Sequence, residues 1–96
     1  MAFKIIIAQA ALKDLEEILD YIGADDPEAA ARFGKGLLNH SQILTSFPHL
    51  GIVVKKRAKV RSLLHSPVRI YYQVDEEREA IQILHFWHTS RRPPKF

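Results

Sequence analysis

The spacing of apolar residues changes along the first half of this chain, and each change predicts an element. Phe3 to Ala8 is a run of β-branched and aromatic residues, which predicts a short strand covered on both faces. From Ala11 to Ile22 apolar residues recur every three or four positions, which predicts an amphipathic helix that Gly23 ends. Asp26-Pro27-Glu28 combines an N-cap, a proline at the first helical position and a first-turn acid, so a second helix is predicted from there to Pro48.

In the second half the spacing falls to two, which predicts strands. A basic, irregular segment that begins at His49 and contains Lys55-Lys56-Arg57 is expected to be a solvated loop. Three alternating segments follow, separated by turns, at residues 59–65, 68–74 and 80–87. The buried face of the last one stays open, because Ile81 and Ile83 would occupy it in one register and Leu84 and Phe86 in the other.

These elements predict one α+β domain over residues 1–96, of order β-α-α-β-β-β. The last three strands form an antiparallel meander of two hairpins, and the first strand most simply joins its edge. The helical hairpin then packs on one face of this small antiparallel sheet. Residues 89–96 are too rich in proline and charge to extend a strand, so an irregular tail is expected.

Composition narrows the class of protein further. The chain has 96 residues and no cysteine, and it contains no apolar run long enough to span a membrane. We expect it to stay in the cytoplasm, since the start of the chain does not look like a signal peptide. Residues 1–50 carry four bases and seven acids, a charge of −3, whereas residues 51–96 carry ten bases and four acids, a charge of +6. The second half should attract a polyanion or an acidic protein segment.

Several segments, in this order and spacing, resemble the RelE/ParE toxin superfamily, especially the members called plasmid stabilisation proteins. They are the helix pair, Phe47-Pro48-His49-Leu50-Gly51, VRIYYQVD at residues 68–75 and ILHFWHTSRRPP at residues 83–94. The resemblance covers nearly the whole chain. It implies a type II toxin that is held inactive by an acidic antitoxin encoded beside it.

One branch of the superfamily, the RelE-like toxins, cuts messenger RNA on the ribosome without a metal. Lys59, Arg61 and Arg69 resemble the basic catalytic cluster of those nucleases. His88 and Arg91 stand where such nucleases place a further cation and, in some relatives, a histidine. The resemblance therefore implies a metal-independent endoribonuclease that needs no cofactor. Its expected catalytic residues are His88, Arg69, Arg61 and Arg91, and its expected phosphate-binding residues are Lys59, Lys55, Lys56 and Arg57.

The sequence also departs from RelE, and two other readings stay open. Phe96 has no hydroxyl where RelE itself uses a C-terminal tyrosine, so His88 would have to transfer the protons. A second branch, the ParE-like toxins, poisons DNA gyrase by binding alone, and its toxicity would depend on a contact surface such as the tail from Thr89 onward. A third reading is a diverged, weakly toxic relative that keeps only antitoxin binding. Whether this chain is an enzyme is therefore left undecided.

Each conspicuous residue also has an ordinary structural interpretation. His85 alternates with apolar neighbours, which favours a hydrogen-bonded sheet histidine, and Tyr72 and Trp87 are expected to anchor the core. Arg69 could simply pair with an acid. His85 and His88 are three apart on a strand and should face opposite sides, so no metal site is expected.

The expected partners follow from the charge and the resemblance. A small acidic antitoxin should fold its C-terminal part across the helices and the sheet, covering the basic half of the toxin. The target would be the ribosome with its messenger RNA, or else DNA gyrase. Both helices carry acids on their polar faces, so direct sequence-specific DNA binding is not expected, and neither is a membrane partner.

Overall fold

The computed structural model describes residues 2–92 and residue 94. Two helices pack on one face of a five-stranded sheet of order β1-β5-β4-β3-β2. Strand β1 runs parallel to β5, and the other neighbours are antiparallel. The elements are β1 (Lys4–Ile7), α1 (Gln9–Asp25), α2 (Pro27–Ser41), a 3-10 turn (Gln42–Thr45), β2 (Ile52–Val54), β3 (Arg57–His65), β4 (Val68–Asp75) and β5 (Ala80–His88). The predicted α+β class, with a helical hairpin on the sheet and the first strand at its edge, is confirmed.

The predicted ends of both helices were wrong. Helix α1 continues through Gly23 to Asp25, since a glycine inside a helix costs only about 1 kcal/mol relative to alanine and the packing of the helix outweighs this cost. Helix α2 begins as predicted, with Asp26 Oδ1 accepting from the N–H of Ala29 at 3.1 Å. It ends at Ser41, well before Pro48, where the Ser41 hydroxyl bonds the carbonyl of Leu38 at 2.7 Å.

The sheet contains one strand more than the sequence predicted. Residues 52–54 form β2, which pairs with β3 through the two-residue turn Lys55-Lys56, so the basic segment is a hairpin and not an irregular loop. Three residues are too few to display an alternating pattern, and a register shift between Val53 and Val54 interrupts it further. The strand lies at the edge of the sheet, where Ile52 is 71% exposed.

A register shift also decides the burial of the last strand. Tyr71 pairs with His85 and Tyr72 pairs with Ile83, which leaves Leu84 as an extra residue in β5. Apolar residues on both sides of this bulge can therefore face the helices, although no single alternating register allows it. The resulting core consists of Ala11, Leu37, Leu44, Val68, Ile70, Tyr72, Ile81, Ile83 and Phe86.

Among the described residues, no helix is both long and apolar enough to cross a membrane. Residues 89–92 contain no helix or strand. Phe96, on which the comparison with the C-terminal tyrosine of RelE depends, lies outside the described residues.

Candidate functional site

Arg61 forms hydrogen bonds with the loop that leads from the helices into the sheet. Its Nη1 donates to the carbonyl oxygens of His49 at 3.2 Å and Gly51 at 2.9 Å. The buried Tyr72 hydroxyl accepts from the N–H of Gly51 at 2.8 Å and donates to the carbonyl of Pro48 at 2.9 Å. We call this arrangement the loop clamp. It shows that Arg61 supports the backbone of residues 48–51.

The loop clamp also explains the glycine in the Phe47-Pro48-His49-Leu50-Gly51 segment. A Cβ on Gly51 would lie 2.7 Å from the ring and hydroxyl of Tyr72 and 2.8 Å from the carbonyl oxygen of Ser62. Burial raises the pKa of Tyr72 above its ordinary value of 10.0, against the opposing effects of the Gly51 N–H and Arg61. Tyr72 is fully buried, which confirms its predicted role as a core anchor.

Arg69 lies on the opposite face of the sheet from Arg61. Arg61 pairs with Tyr72 and so shares the face that the helices cover, which we call the helix face. Arg69 is three positions from Tyr72 on β4 and points to the other, open face. There its Nη1 donates to Ser62 Oγ at 3.2 Å, and its neighbour across the strands is Trp87.

His88 and Arg91 stand at the far end of β5. The N–H of Ser90 donates to His88 Nδ1 at 3.1 Å, and Ser90 Oγ lies 2.7 Å from the same nitrogen. Nδ1 is therefore an acceptor, which places the proton of the neutral ring on Nε2. The Arg91 guanidinium lies 4.4 Å from the centre of the Trp87 ring, whose Nε1 donates to the carbonyl of Arg92 at 2.6 Å.

The four predicted catalytic residues therefore do not surround one point. Arg61 is paired with Tyr72 and His88 with Val68, and these partners are separated by about 13 Å at 3.3 Å per residue. Arg69 is next to Val68 in the chain but points to the open face. His88 and Arg91 line one cleft, and Arg91 also stacks on Trp87, the cross-strand neighbour of Arg69.

That cleft, which we call the His88 cleft, has a volume of about 520 Å³ and lies between α1 and the end of β5. Asp14, Glu17, His88, Ser90 and Arg91 contribute its polar groups. Its apolar walls come from Ile18, Tyr21, Ile22, Phe33, Pro67, Val68 and Phe86. Two carboxylates and two basic side chains lie among mainly apolar walls. This composition suits the binding of a protein surface better than the binding of a phosphate group.

A second cavity, which we call the His85 cavity, has a volume of about 680 Å³ and a different chemical character. His85, Leu84 and Gln73 line it together with three of the four predicted phosphate-binding residues, Lys56, Arg57 and Lys59. Its remaining lining residues are Ala8, Ala10 and Val60. Lys55, the fourth predicted residue, is exposed in the turn of the β2–β3 hairpin and does not line this cavity.

His85 is held by a carboxylate that the sequence did not indicate. Its Nδ1 lies 2.7 Å from Asp14 Oδ2, and the same oxygen accepts from the N–H of Phe86 at 3.3 Å. The prediction of a hydrogen-bonded sheet histidine is thus confirmed. Asp14 is one of several acids on the polar face of α1 and lies 71 positions away from His85. No local pattern distinguishes Asp14 from the other acids of that face, so only the fold reveals the pair.

Two other histidines meet away from both cavities. His40 Nδ1 on α2 lies 2.9 Å from His65 Nδ1 on β3, and Phe33 packs edge-on against the His65 ring. Burial lowers the pKa of His65 below its ordinary value of 6.5, and the neighbouring His40 lowers it further. Within residues 2–92 and 94, no group of three or more side chains is arranged to hold a metal ion.

Solved structures share the fold of this chain. A chromosomal ParDE toxin–antitoxin system from P. aeruginosa aligns with a TM-score of 0.76 and 23% identity, covering 91% of this chain and 96% of that one. The toxin–antitoxin complex RelBE2 from Mycobacterium tuberculosis aligns with a TM-score of 0.63 and 21% identity, covering 92% and 99%. Two helices on a mostly antiparallel five-stranded sheet thus define a toxin fold of the RelE/ParE type.

The sequence identifies the family within that class. The family described as the ParE toxin of type II toxin–antitoxin systems, parDE, matches residues 5–93. This chain therefore belongs to the ParE toxin family, which confirms the resemblance to the RelE/ParE superfamily. Among the curated proteins, none matches it significantly.

Proposed function

We propose that this toxin arrests growth by binding DNA gyrase, without catalysing a reaction. The observation that carries the proposal is the placement of Arg61 and Arg69 on opposite faces of the sheet, with Arg61 bonded to the backbone of the loop clamp. Cleavage of RNA needs a proton-transfer group and cations around the same phosphate. Arg61, Arg69 and His88 are not gathered in that way, and membership of the ParE family supports the same conclusion.

The His88 cleft supports protein binding more than RNA binding. The carboxylates of Asp14 and Glu17 line it beside His88, and both would repel a phosphate. Its rim carries Tyr21, a side chain that is 80% exposed, and Arg91, which stacks over Trp87. Exposed tyrosine and arginine beside an apolar wall are typical of the residues that contribute most to protein–protein binding. We assign the gyrase contact to this surface.

We further propose a cognate acidic antitoxin as the inhibitor. Phe47, Leu50 and Ile52 are all at least half exposed and follow one another along the loop clamp and the edge strand β2. The turn Lys55-Lys56 follows at the end of β2, after Val53 and Val54. An acidic segment with apolar side chains would cover both the exposed apolar residues and the adjacent positive charge.

The experiment compares two activities in one preparation of antitoxin-free toxin. Gyrase supercoiling and DNA-cleavage assays are run beside a cell-free translation reaction in which messenger RNA ends are mapped. We expect inhibited or trapped gyrase and intact messenger RNA. New RNA ends at ribosome-bound codons would instead establish a nuclease. Inactivity in both assays, with antitoxin binding retained, would indicate a toxin that has lost its activity.

A pair of variants locates the contact. Tyr21→Ala removes an exposed aromatic ring from the rim of the cleft and should weaken gyrase inhibition about tenfold, as expected for an interface residue of this type. Leu12→Ala removes a half-exposed apolar side chain from the same helix, away from the cleft, and serves as the matched control. Equal effects of the two substitutions would exclude the His88 cleft as the contact.

A further inference from the structure

We propose that His40 and His65 form a binding site for a divalent transition-metal ion of the class that prefers nitrogen ligands, such as Zn²⁺. Their two Nδ1 atoms are the protein ligands, and water completes the coordination. Neither histidine lines the His88 cleft or the His85 cavity, and the pair is separate from His85 and His88, for which the sequence predicted no metal site. The proposal therefore goes beyond gyrase binding and does not depend on which target the toxin has.

Helix α2 holds the His65 ring in place. His65 is the last residue of β3, and the Phe33 ring packs edge-on against it with 5.6 Å between the ring centres. The Cβ position of Gly36 is 4.0 Å from two atoms of the same ring. His40 follows on the same face of the helix, because residues three and four positions apart are neighbours there. Since packing already holds the His65 ring, little side-chain freedom is lost when a metal binds.

The two imidazole rings face each other through the atoms that a metal would bind. His40 Nδ1 and His65 Nδ1 are 2.9 Å apart and share one hydrogen bond, whose proton belongs to one of the two rings. Among the residues that the structure describes, neither ring has a carboxylate or a carbonyl as a partner. When both rings carry their proton on Nε2, both Nδ1 atoms present a lone pair to the same point. This is the arrangement that a metal ion needs.

The spacing of the two rings fits one shared ion. A tetrahedral zinc ion at about 2.05 Å from two imidazole nitrogens holds these nitrogens about 3.3 Å apart and the ring centres about 5.2 Å apart. The ring centres of His40 and His65 are 5.1 Å apart. The rings therefore need only to turn until their Nδ1 atoms are about 0.4 Å further apart, and the backbones of α2 and β3 can stay in place.

The ligand set selects the class of metal and the strength of binding. Imidazole nitrogen suits zinc, nickel and copper, whereas Mg²⁺ and Ca²⁺ prefer oxygen ligands. Two protein ligands out of four should provide about half the binding free energy of a structural zinc site, which corresponds to a dissociation constant of about 1–200 µM. The bound ion would join the end of α2 to the end of β3. Because it would bind only the folded protein in this way, it should raise the thermal stability.

The test is a titration of the full-length toxin, without an affinity tag, with Zn²⁺ at about pH 7.5, where a free imidazole is neutral. The nitrogen signals of the histidine rings are followed by NMR. We expect the Nδ1 signals of His40 and His65 to shift together and to saturate at one ion per chain, and Mg²⁺ to leave both unchanged. His49, whose exposed ring lies 2.8 Å from Glu76 Oε1, is the internal comparison for weak surface binding. The absence of a saturable shift at His40 and His65, or saturation no tighter than at His49, would overturn the proposal.

Substitutions distinguish a shared ion from the binding of zinc by single histidines. His40→Gln and His65→Gln each remove one ligand and should each abolish saturable binding. His88→Gln removes a histidine outside the pair and should leave the dissociation constant unchanged. Binding that survives in either His40→Gln or His65→Gln would show that the other ring binds alone, and would contradict a shared site.

Thermal unfolding provides a second measurement of the same site. At about 100 times its dissociation constant, Zn²⁺ should raise the midpoint of the wild-type toxin by about 10 °C. The midpoints of His40→Gln and His65→Gln, each shown to be folded by circular dichroism, should rise by much less. Equal shifts in the wild-type toxin and the two variants would assign the stabilisation to zinc bound elsewhere and would contradict the proposal.

Discussion

The His88 cleft and the His85 cavity place two histidines of one strand in opposite chemical surroundings. His88 is bonded to Ser90 within a mainly apolar cleft that also contains two carboxylates. His85 is bonded to Asp14 beside a cavity with three cationic side chains. The residue type is the same and the separation is three positions. The comparison shows that the fold, and not the residue type or the spacing, decides the surroundings of each histidine.

Asp14 connects the two regions. Its side chain lines the His88 cleft and at the same time bonds the ring of His85. A single carboxylate therefore makes the cleft less suitable for phosphate while it fixes the orientation of the His85 ring. Substitutions in the outer walls should therefore change one region at a time, whereas a substitution of Asp14 should change both.

The largest expected effect on the free energy of unfolding comes from the loop clamp, which holds Arg61 outside both regions. Gly51→Ala would force a Cβ against Tyr72 and the Ser62 carbonyl, and should lower the free energy of unfolding by about 3 kcal/mol. Urea unfolding followed by circular dichroism measures the loss. Gly36→Ala is the control, since a Cβ at this position would lie 4.0 Å from the nearest atoms, which belong to the His65 ring. Equal losses would show that the loop clamp is not tightly packed.

Removal of the shared carboxylate should have the next largest effect. Asp14→Ala leaves the Phe86 N–H and the His85 ring without their acceptor, which should lower the free energy of unfolding by about 2 kcal/mol. Asp20→Ala removes an exposed acid from the same helix and should change stability by less than about 0.5 kcal/mol. Equal stabilities of the two variants in urea would mean that Asp14 is not the link between the regions.

The gyrase contact should be confined to the His88 cleft. Tyr21→Ala should weaken gyrase inhibition about tenfold, because Tyr21 lines this cleft and not the His85 cavity. Lys59→Ala changes the wall of the His85 cavity and should leave gyrase inhibition unchanged. Both variants are compared with the wild-type toxin in the supercoiling assay, and equal weakening would show that the contact extends beyond the cleft.

The smallest expected effect concerns a histidine outside both regions. The lowered pKa of His65 means that its neutral form is favoured in the folded protein. Its contribution to stability is therefore present above the ordinary value of 6.5 and is lost as the pH falls through the lowered value. His65→Gln should reduce this acid sensitivity, as measured by thermal unfolding across that range. An unchanged profile would assign the acid sensitivity to another group.

The fold was largely predictable because its main elements carry strong periodic patterns. Asp26-Pro27 marked the start of α2, and alternation marked β4. The errors arose where contact between elements overrides local signals. Gly23 looked like a helix end but lies inside α1, and β2 was too short to show a pattern.

The candidate site was less predictable for a related reason. Three of the residues predicted to bind phosphate, Lys56, Arg57 and Lys59, line one cavity, and their role stays a prediction. Which face each residue occupies depends on cross-strand register and on the bulge at Leu84, neither of which is encoded locally. The pairing of Asp14 with His85 spans 71 positions and is visible only once α1 has packed on β5.

The most direct test of binding without catalysis is the dose dependence of growth arrest and gyrase inhibition for the double variant His88→Ala/Arg69→Ala. Loss of a general acid or base normally costs a factor of about 10²–10⁴ in rate, whereas a lost binding contact costs about tenfold or less. The account predicts that the folded double variant still arrests growth and inhibits gyrase within about tenfold of the wild-type toxin. A loss of about 100-fold or more, in a protein with unchanged circular dichroism, would contradict it and indicate a catalytic toxin.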